Sequence, residues 1–196
     1  MIVREKEIID PNYNNFQVMM TWEKPYMEKC VEFLKPHGDV LEIGFGMGFS
    51  ATAINKYPLR SYTVIEKDSK VIKKFNKWKL KQKNKKINLI KGMWQYVLPL
   101  LDKKYDCIFF DDSPSHEIKR KDNRFFLFLK LIMLRNIKYN TRLVGYATKS
   151  SRLYGYLTKH FEYYLYKYRI DIPYYCNYAK GNYMYINKII FKKQNG

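Results

Sequence analysis

From residue 38 onward the hydrophobic positions alternate between two periods. Short apolar runs bounded by glycine, proline or charge stand at "DVLEIG" (39–44), "SYTVIE" (61–66), "INLIKG" (87–92), "YDCIFFD" (105–111) and "TRLVGYA" (141–147), and each predicts a buried strand. Between them the apolar positions fall at helical spacing. One helix opens near Met47 and closes in "AINKY" (53–57), where Pro58 forbids continuation. Others are expected over "SKVIKKFNKWKL" (69–80), around 93–101, and over "KDNRFFLFLKLIMLRNI" (121–137). Strands alternating with helices predict βαβ units and a mostly parallel sheet with helices on both faces.

The tail breaks this rhythm. "HFEYYLYKYRIDI" (160–172) and "YMYINKIIFKK" (183–193) are β-prone runs joined through Pro173 and Gly181, with no helix between them. Tyr164, Tyr166, Tyr168, Ile170 and Ile172 form one apolar face against Lys167, Arg169 and Asp171 on the other. That period of two favours sheet packing for the tyrosines over base stacking, and predicts an antiparallel hairpin that brings the sheet to seven strands. The 196 residues fit a single domain without repeat or linker: residues 1–17 as an N-terminal lid or arm, then a helix over 18–37.

Charge changes this picture little. The net charge of +19 admits a nucleic-acid partner, and Lys73–Lys86 is the densest basic run, but no nucleic-acid module accompanies it. The abundance of Asn, Ile, Tyr and Phe points instead to a compositional bias that makes lysine the default surface residue. No apolar run approaches the roughly 18–20 residues of a membrane span. Cys30, Cys107 and Cys176 are odd in number and far apart, and His37, His116 and His160 are as scattered. We therefore expect reduced thiols in a cytoplasmic protein, with no disulfide framework and no metal site.

Chemistry concentrates where the strands end. "VLEIGFGMGFS" (40–50) turns a strand into a helix through Gly44, Gly46 and Gly48, a turn that needs glycine for positive φ and for close backbone approach to a ligand. A dinucleotide fingerprint would read G-x-G-x-x-G; the spacing here is G-x-G-x-G, as in the cofactor loop of Rossmann-like S-adenosylmethionine methyltransferases. Glu66 ends the next strand, where an acid can accept both hydroxyls of a ribose. "FFDDSP" (109–114) ends the fourth strand with two acids; Asp111 is assigned to chemistry, and Asp112 or Ser113 to capping the following helix at Pro114.

"MMTWEKPYME" (19–28) sets Glu23 in an apolar patch. The run Met19-x-x-Trp22-Glu23-x-Pro25-Tyr26-Met27 resembles the opening motif of the guanidinoacetate N-methyltransferase family, which includes fungal arginine-methylating relatives. The resemblance continues through Gly44-Phe45-Gly46-Met47, Ile65-Glu66, Lys91-Gly92-x-Trp94, Tyr105-Asp106-x-Ile108-x-x-Asp111, and Ile172-Pro173 followed by Cys176-x-Tyr178. It covers most of residues 18–185, and the W-E-x-P-x-M element is its most specific part.

The resemblance implies an α/β, Rossmann-like class I methyltransferase using S-adenosylmethionine, with S-adenosylhomocysteine as product and no metal. It implies that Glu23 and Asp111 grip a guanidino group, beside an aromatic wall of Trp22 and Tyr26, with Asp111 as general base. Met19, Met27, Gly44, Phe45, Gly46, Met47, Gly48, Glu66, Met93 and Trp94 would surround the cofactor, and Lys149 with Ser150 would receive an acceptor's carboxylate. The chain departs from the family in its short lead before the motif, where Phe16 or Tyr13 would serve as cover. It also has a brief segment over 148–160, Asp112-Ser113 in place of Thr-Tyr, and Asn177 where a basic residue is common. The expected partner is a small guanidino or amine compound, preferred over protein arginine, RNA or non-catalytic cofactor binding; the chain leaves the exact acceptor and the oligomeric state open.

Overall fold

The computed structural model describes residues 1–12, 14–83, 86–112, 124–147 and 159–192. A seven-stranded sheet runs in the order β6 (Ile87–Lys91), β5 (Leu59–Glu66), β4 (Gly38–Ile43), β7 (Tyr105–Phe110), β8 (Ile137–Ala147), β10 (Tyr183–Phe191) and β9 (Phe161–Arg169). The first five are mutually parallel, and β10 runs antiparallel between β8 and β9. This is the mostly parallel sheet with a terminal antiparallel hairpin that the sequence predicts. β8 starts earlier than expected, at Ile137, because α5 (Arg124–Arg135) stops two residues before it.

Period-two alternation divides the core in two. Val40, Tyr62, Val64, Cys107, Phe109 and Val144 face α1 (Lys24–Leu34), α2 (Phe49–Ile54) and α3 (Ser69–Leu80). Leu41, Ile43, Ile65, Ile108, Phe110 and Leu143 face α5 and α4 (Trp94–Val97). The tail obeys the same rule: Tyr166, Tyr168, Ile170 and Ile172 pack on the first side, Phe161 and Tyr163 on the second. Tyr164 does not, since it is 40% exposed at the sheet edge.

Helix limits follow local chemistry. The Asp68 carboxylate caps α3 by accepting from the Lys70 and Val71 N–H groups at 2.9 and 3.0 Å. α1 buries Tyr26, Met27, Cys30, Val31 and Leu34 on one face and ends at Lys35, whose φ of 51° is left-handed, before Pro36.

The N-terminal expectation needs correction. The helix predicted over 18–37 occupies only Lys24–Leu34; Thr21–Glu23 is a 3₁₀ turn, and Phe16–Met20 is a strand. Pro25 lies in the first turn of α1, where its missing N–H costs nothing, so the helix starts there. Residues 1–17, expected as an arm, and 18–20, expected in that helix, instead carry a three-stranded antiparallel sheet: β1 (Ile2–Val3), β2 (Glu7–Asp10) and β3 (Phe16–Met20).

Candidate active site

The C-terminal ends of the parallel strands are held in line by the backbone. Gly44 N–H donates to the Ile65 carbonyl at 2.9 Å, Asp111 N–H to Ile43 at 3.1 Å, and Gly92 N–H to Glu66 at 2.9 Å. Above this edge lies a cavity of about 330 Å³, bounded by the ends of β4 to β7 and covered by β2, β3 and Tyr178. Its size and position match a ligand site of an open α/β sheet.

Glycine is required in the β4–α2 turn by the protein's own packing. Gly44 has φ of 80°, and a Cβ there would lie 2.3 Å from the Asp111 carbonyl oxygen. Gly46 has φ of 52°, and its Cβ would lie 2.7 Å from Met19 Sδ. The same sulfur accepts the Met47 N–H at 3.1 Å, locking the N-terminal sheet onto the loop.

Eight residues expected in the site line this cavity: Met19, Glu23, Gly44, Gly46, Glu66, Met93, Trp94 and Asp111. Others stand behind it. Phe45 is buried, its ring edge-on to Phe75 and Trp78 at 5.2 and 5.4 Å, so only its backbone faces the loop. Met27 is buried in the core of α1, Met47 is buried beneath the loop, and Gly48 caps α2. Trp22 is off the cavity wall, stacked on Tyr178 with ring centroids 6.2 Å apart. Tyr26 forms no part of an aromatic wall here: it is fully buried and its hydroxyl donates to the Tyr185 carbonyl at 2.6 Å. Lys149, Ser150, Tyr13 and the expected cap at Ser113–Pro114 lie outside the described residues.

The acids differ in what surrounds them. Glu66 accepts three backbone N–H groups, from Phe45 at 2.9 Å, Lys67 at 2.8 Å and Asp68 at 2.9 Å. A carboxylate has about four acceptor positions, so these three N–H groups do not exhaust it. Glu42, fully buried beneath the loop, is closed off by the hydroxyls of Ser50 and Tyr62, and burial raises its pKa well above the ordinary carboxylate value.

Glu23 is 4% exposed, and one oxygen, Oε1, takes both the Met20 N–H at 2.7 Å and the Tyr178 hydroxyl. Burial pushes its pKa up to about 8, the negative charge of Asp111 adds to this, and the two hydrogen bonds oppose it. Burial, with Asp112 as the next cause, pushes Asp111 up to about 7. Among the described residues neither carboxylate has a salt-bridge partner.

Several cavity residues were missed at the sequence level. Tyr178 is carried in by the turn after β9, which is tied to β3 by Asn177 N–H donating to Gln17 Oε1 at 2.9 Å and Gln17 N–H to Asn177 Oδ1 at 3.4 Å. Asp112 takes part in an ion pair: Arg124 Nε and Nη2 both donate to its Oδ2, Nε at 2.6 Å. The Arg124 guanidinium also lies 5.8 Å from the Trp94 ring centroid. Lys67 and Gln95 also line the cavity.

The sheet order and site position define a Rossmann-like methyltransferase fold. Solved structures agree: the Escherichia coli protein yhhF is similar with a TM-score of 0.65 and 13% identity, covering 87% of this chain and 86% of that one. Spermidine synthase from Thermotoga maritima gives 0.64 and 13% over 97% and 71% of the two chains. The SAH-bound Podospora anserina methyltransferase PaMTH1 gives 0.52 and 15% over 87% and 78%. The chain belongs to the guanidinoacetate N-methyltransferase family, whose model matches residues 13–166. It is also 34% identical over 121 residues to protein arginine N-methyltransferase 2 of Candida glabrata. That match takes in 57% of this chain but only 29% of the relative's length. Among the described residues no helix is long and apolar enough to cross a membrane.

Proposed function

We propose that this chain is an S-adenosylmethionine-dependent methyltransferase acting on a guanidino nitrogen of a small molecule, with Glu23 and Asp111 as the clamp. The observation that carries this reading is a pair of buried carboxyls on one cavity, neither matched by a cation among the described residues. A lone buried anion pair is costly, and a planar cation between the two would relieve it. A guanidinium has the charge and the forked N–H geometry for that place. The family model and the arginine-methylating relative point to the same acceptor class.

When bound, S-adenosylmethionine supplies a methyl group on a positively charged sulfonium. The wall residues Met19, Gly44, Gly46, Glu66, Met93 and Trp94 would hold it, while Met27, Phe45, Met47 and Gly48 brace the loop from behind. Glu23, fixed at Oε1 by Met20 and Tyr178, presents Oε2 to the acceptor. Asp111 faces the same space, and the two carboxylates offset the repulsion between two cations brought together. A guanidinium is a poor nucleophile because its nitrogen lone pairs are delocalised. As the new N–C bond forms, the attacking nitrogen loses that resonance and its proton becomes acidic; an Asp111 carboxylate oxygen accepts it. Lys149 and Ser150 remain our assignment for the acceptor's anionic tail.

The test is label transfer from methyl-labelled S-adenosylmethionine to separate pools of guanidino compounds, other amines, arginine-rich peptide and RNA. Label in a guanidino compound, lost in Asp111→Asn and Glu23→Gln, supports the clamp. Label only in compounds lacking a guanidino group contradicts it. The exposed lysines of α3, Lys70, Lys73 and Lys77, favour RNA as the second reading, and a steep fall of activity with salt would identify that case.

A further inference from the structure

The sheet edge away from the Glu23–Asp111 cavity carries a second concave surface. Two hollows of about 230 and 650 Å³ lie at the N-terminal ends of β7, β8 and β9 and share Tyr139 and Lys192. None of their residues lines the first cavity, which sits at the C-terminal ends of the strands. Strand register assembles this groove from distant parts of the chain. Ile190 pairs with both Arg142 and Glu162, and Lys192 N–H donates to the His160 carbonyl at 2.8 Å.

Six of the fourteen residues lining the two hollows are cationic, against 37 of 196 in the whole chain: Lys104, Arg135, Lys138, Arg142, Lys159 and Lys192. Glu162 is the one carboxylate among the fourteen, and it accepts the Tyr164 hydroxyl at 2.8 Å. Arg135 is paired with Asp102 and Lys138 with Asp106. Among the described residues Lys104, Arg142, Lys159 and Lys192 have no ion-pair partner. A compositional excess of lysine would spread over the surface, whereas this groove gathers cations from four separate segments, and a concave wall of one sign focuses its potential.

An aromatic ring stands between the hollows. From the Tyr105–Ile137 pair to the Cys107–Arg142 pair, β7 advances two residues and β8 five, so β8 bulges outward. The bulge is pinned by the Thr141 hydroxyl, which accepts the Lys138 N–H at 2.7 Å and donates to the Tyr105 carbonyl at 2.7 Å. Within it Asn140 takes a left-handed φ of 63°, and Tyr139 is 65% exposed. We propose that this groove binds single-stranded nucleic acid, its cations holding phosphates and Tyr139 stacking on a base. Cations alone would suit any anion; an exposed ring between two cationic hollows selects a strand that alternates phosphate with base. A duplex hides its base faces from Tyr139, and an anionic lipid surface is flat where this site is concave. The strand is held as a ligand apart from the Glu23–Asp111 cavity, whatever the methyl acceptor is.

The test is fluorescence anisotropy of a labelled oligouridylate of about 12 nucleotides with the full chain, melting curves confirming that each variant folds. Lys104→Gln/Lys159→Gln/Lys192→Gln should weaken binding at least about tenfold and lower the steepness of its salt dependence by about 2, from three phosphate contacts at about 0.7 each. Tyr139→Ala should weaken it about fivefold or more with the salt dependence unchanged. Lys70→Gln/Lys73→Gln/Lys77→Gln removes the same charge from α3 and should change affinity by less than about threefold. Equal losses in the two triple variants would overturn the proposal by showing diffuse attraction, and a loss confined to the α3 variant would overturn it by moving the site. Undiminished binding by Tyr139→Ala overturns it too, as does tighter binding of a duplex or of phosphatidylserine vesicles, or no binding of the oligouridylate by the wild type.

Discussion

Glu66 and Glu23 are both buried glutamates on the wall of one cavity, 8% and 4% exposed, yet they are finished to different degrees. Glu66 meets three backbone N–H groups of the loop and strand end that it helps to shape. Glu23 meets one backbone N–H and one tyrosine hydroxyl, both on the same oxygen, and shares the cavity with Asp111. Burial alone therefore does not assign a carboxylate its task; the partners already in place do. Glu66 is a nearly completed part of the scaffold with some acceptor capacity left, whereas the Glu23–Asp111 end lacks a counter-charge among the described residues. The cavity has a prepared end and an expectant end.

Breaking the expectant end should give the largest effect. Asp111→Asn removes the proton acceptor, so kcat should fall by about 10²–10⁴-fold, while S-adenosylhomocysteine affinity, measured calorimetrically, stays within about threefold. Glu23→Gln should act on the acceptor, raising its KM by about tenfold or more with a smaller change in kcat. A loss of cofactor binding in either variant would erase the distinction between the two ends.

Phe45→Ala sharpens the comparison from the other side. Phe45 packs on Phe75 and Trp78 instead of lining the cavity, so the substitution should cost about 3 kcal/mol in denaturant unfolding. Tyr178→Phe is expected to give a smaller change. Its hydroxyl favours the charged form of Glu23, so removing it should raise the Glu23 pKa and move the pH profile of acceptor binding upward by less than about one unit.

Stability offers a further check with a definite sign. Glu23 and Asp111 have folded-state pKa values above their ordinary values of 4.5 and 3.8, at about 8 and about 7. The ligand-free folded chain thus holds more protons than the unfolded chain across that window. Their contribution is fully present below pH 4 and is lost as pH rises toward 8. Chemical denaturation at a series of pH values should show this fall, and Glu23→Gln should flatten it.

The parallel sheet was legible because its strands are short apolar runs with glycine or acid at their ends, and "SKVIKKFNKWKL" gave α3 its observed limits. The strand ends in turn placed Gly44, Glu66 and Asp111 on one edge. The N-terminal sheet was not legible. Val18, Met19 and Met20 border Trp22 and Met27 at spacings that also suit a helix, and only the pairing of Glu7–Asp10 with Phe16–Met20 decides for a strand. A glycine loop specifies where backbone approaches a ligand but not where Phe45 turns its ring. Arg124 escaped notice because its partner Asp112 lies twelve residues earlier, and only the folded chain brings both to Trp94.

The most direct test of the clamp is proton release on acceptor binding. Guanidinoacetate and arginine would be titrated at pH 7, with S-adenosylhomocysteine present, in buffers of different ionisation enthalpy. Two carboxyls raised toward neutrality must ionise to hold a guanidinium, so binding should release protons, fewer in Glu23→Gln and in Asp111→Asn. Binding of either compound without proton release, or with release in both variants equal to that of the wild type, would contradict the account.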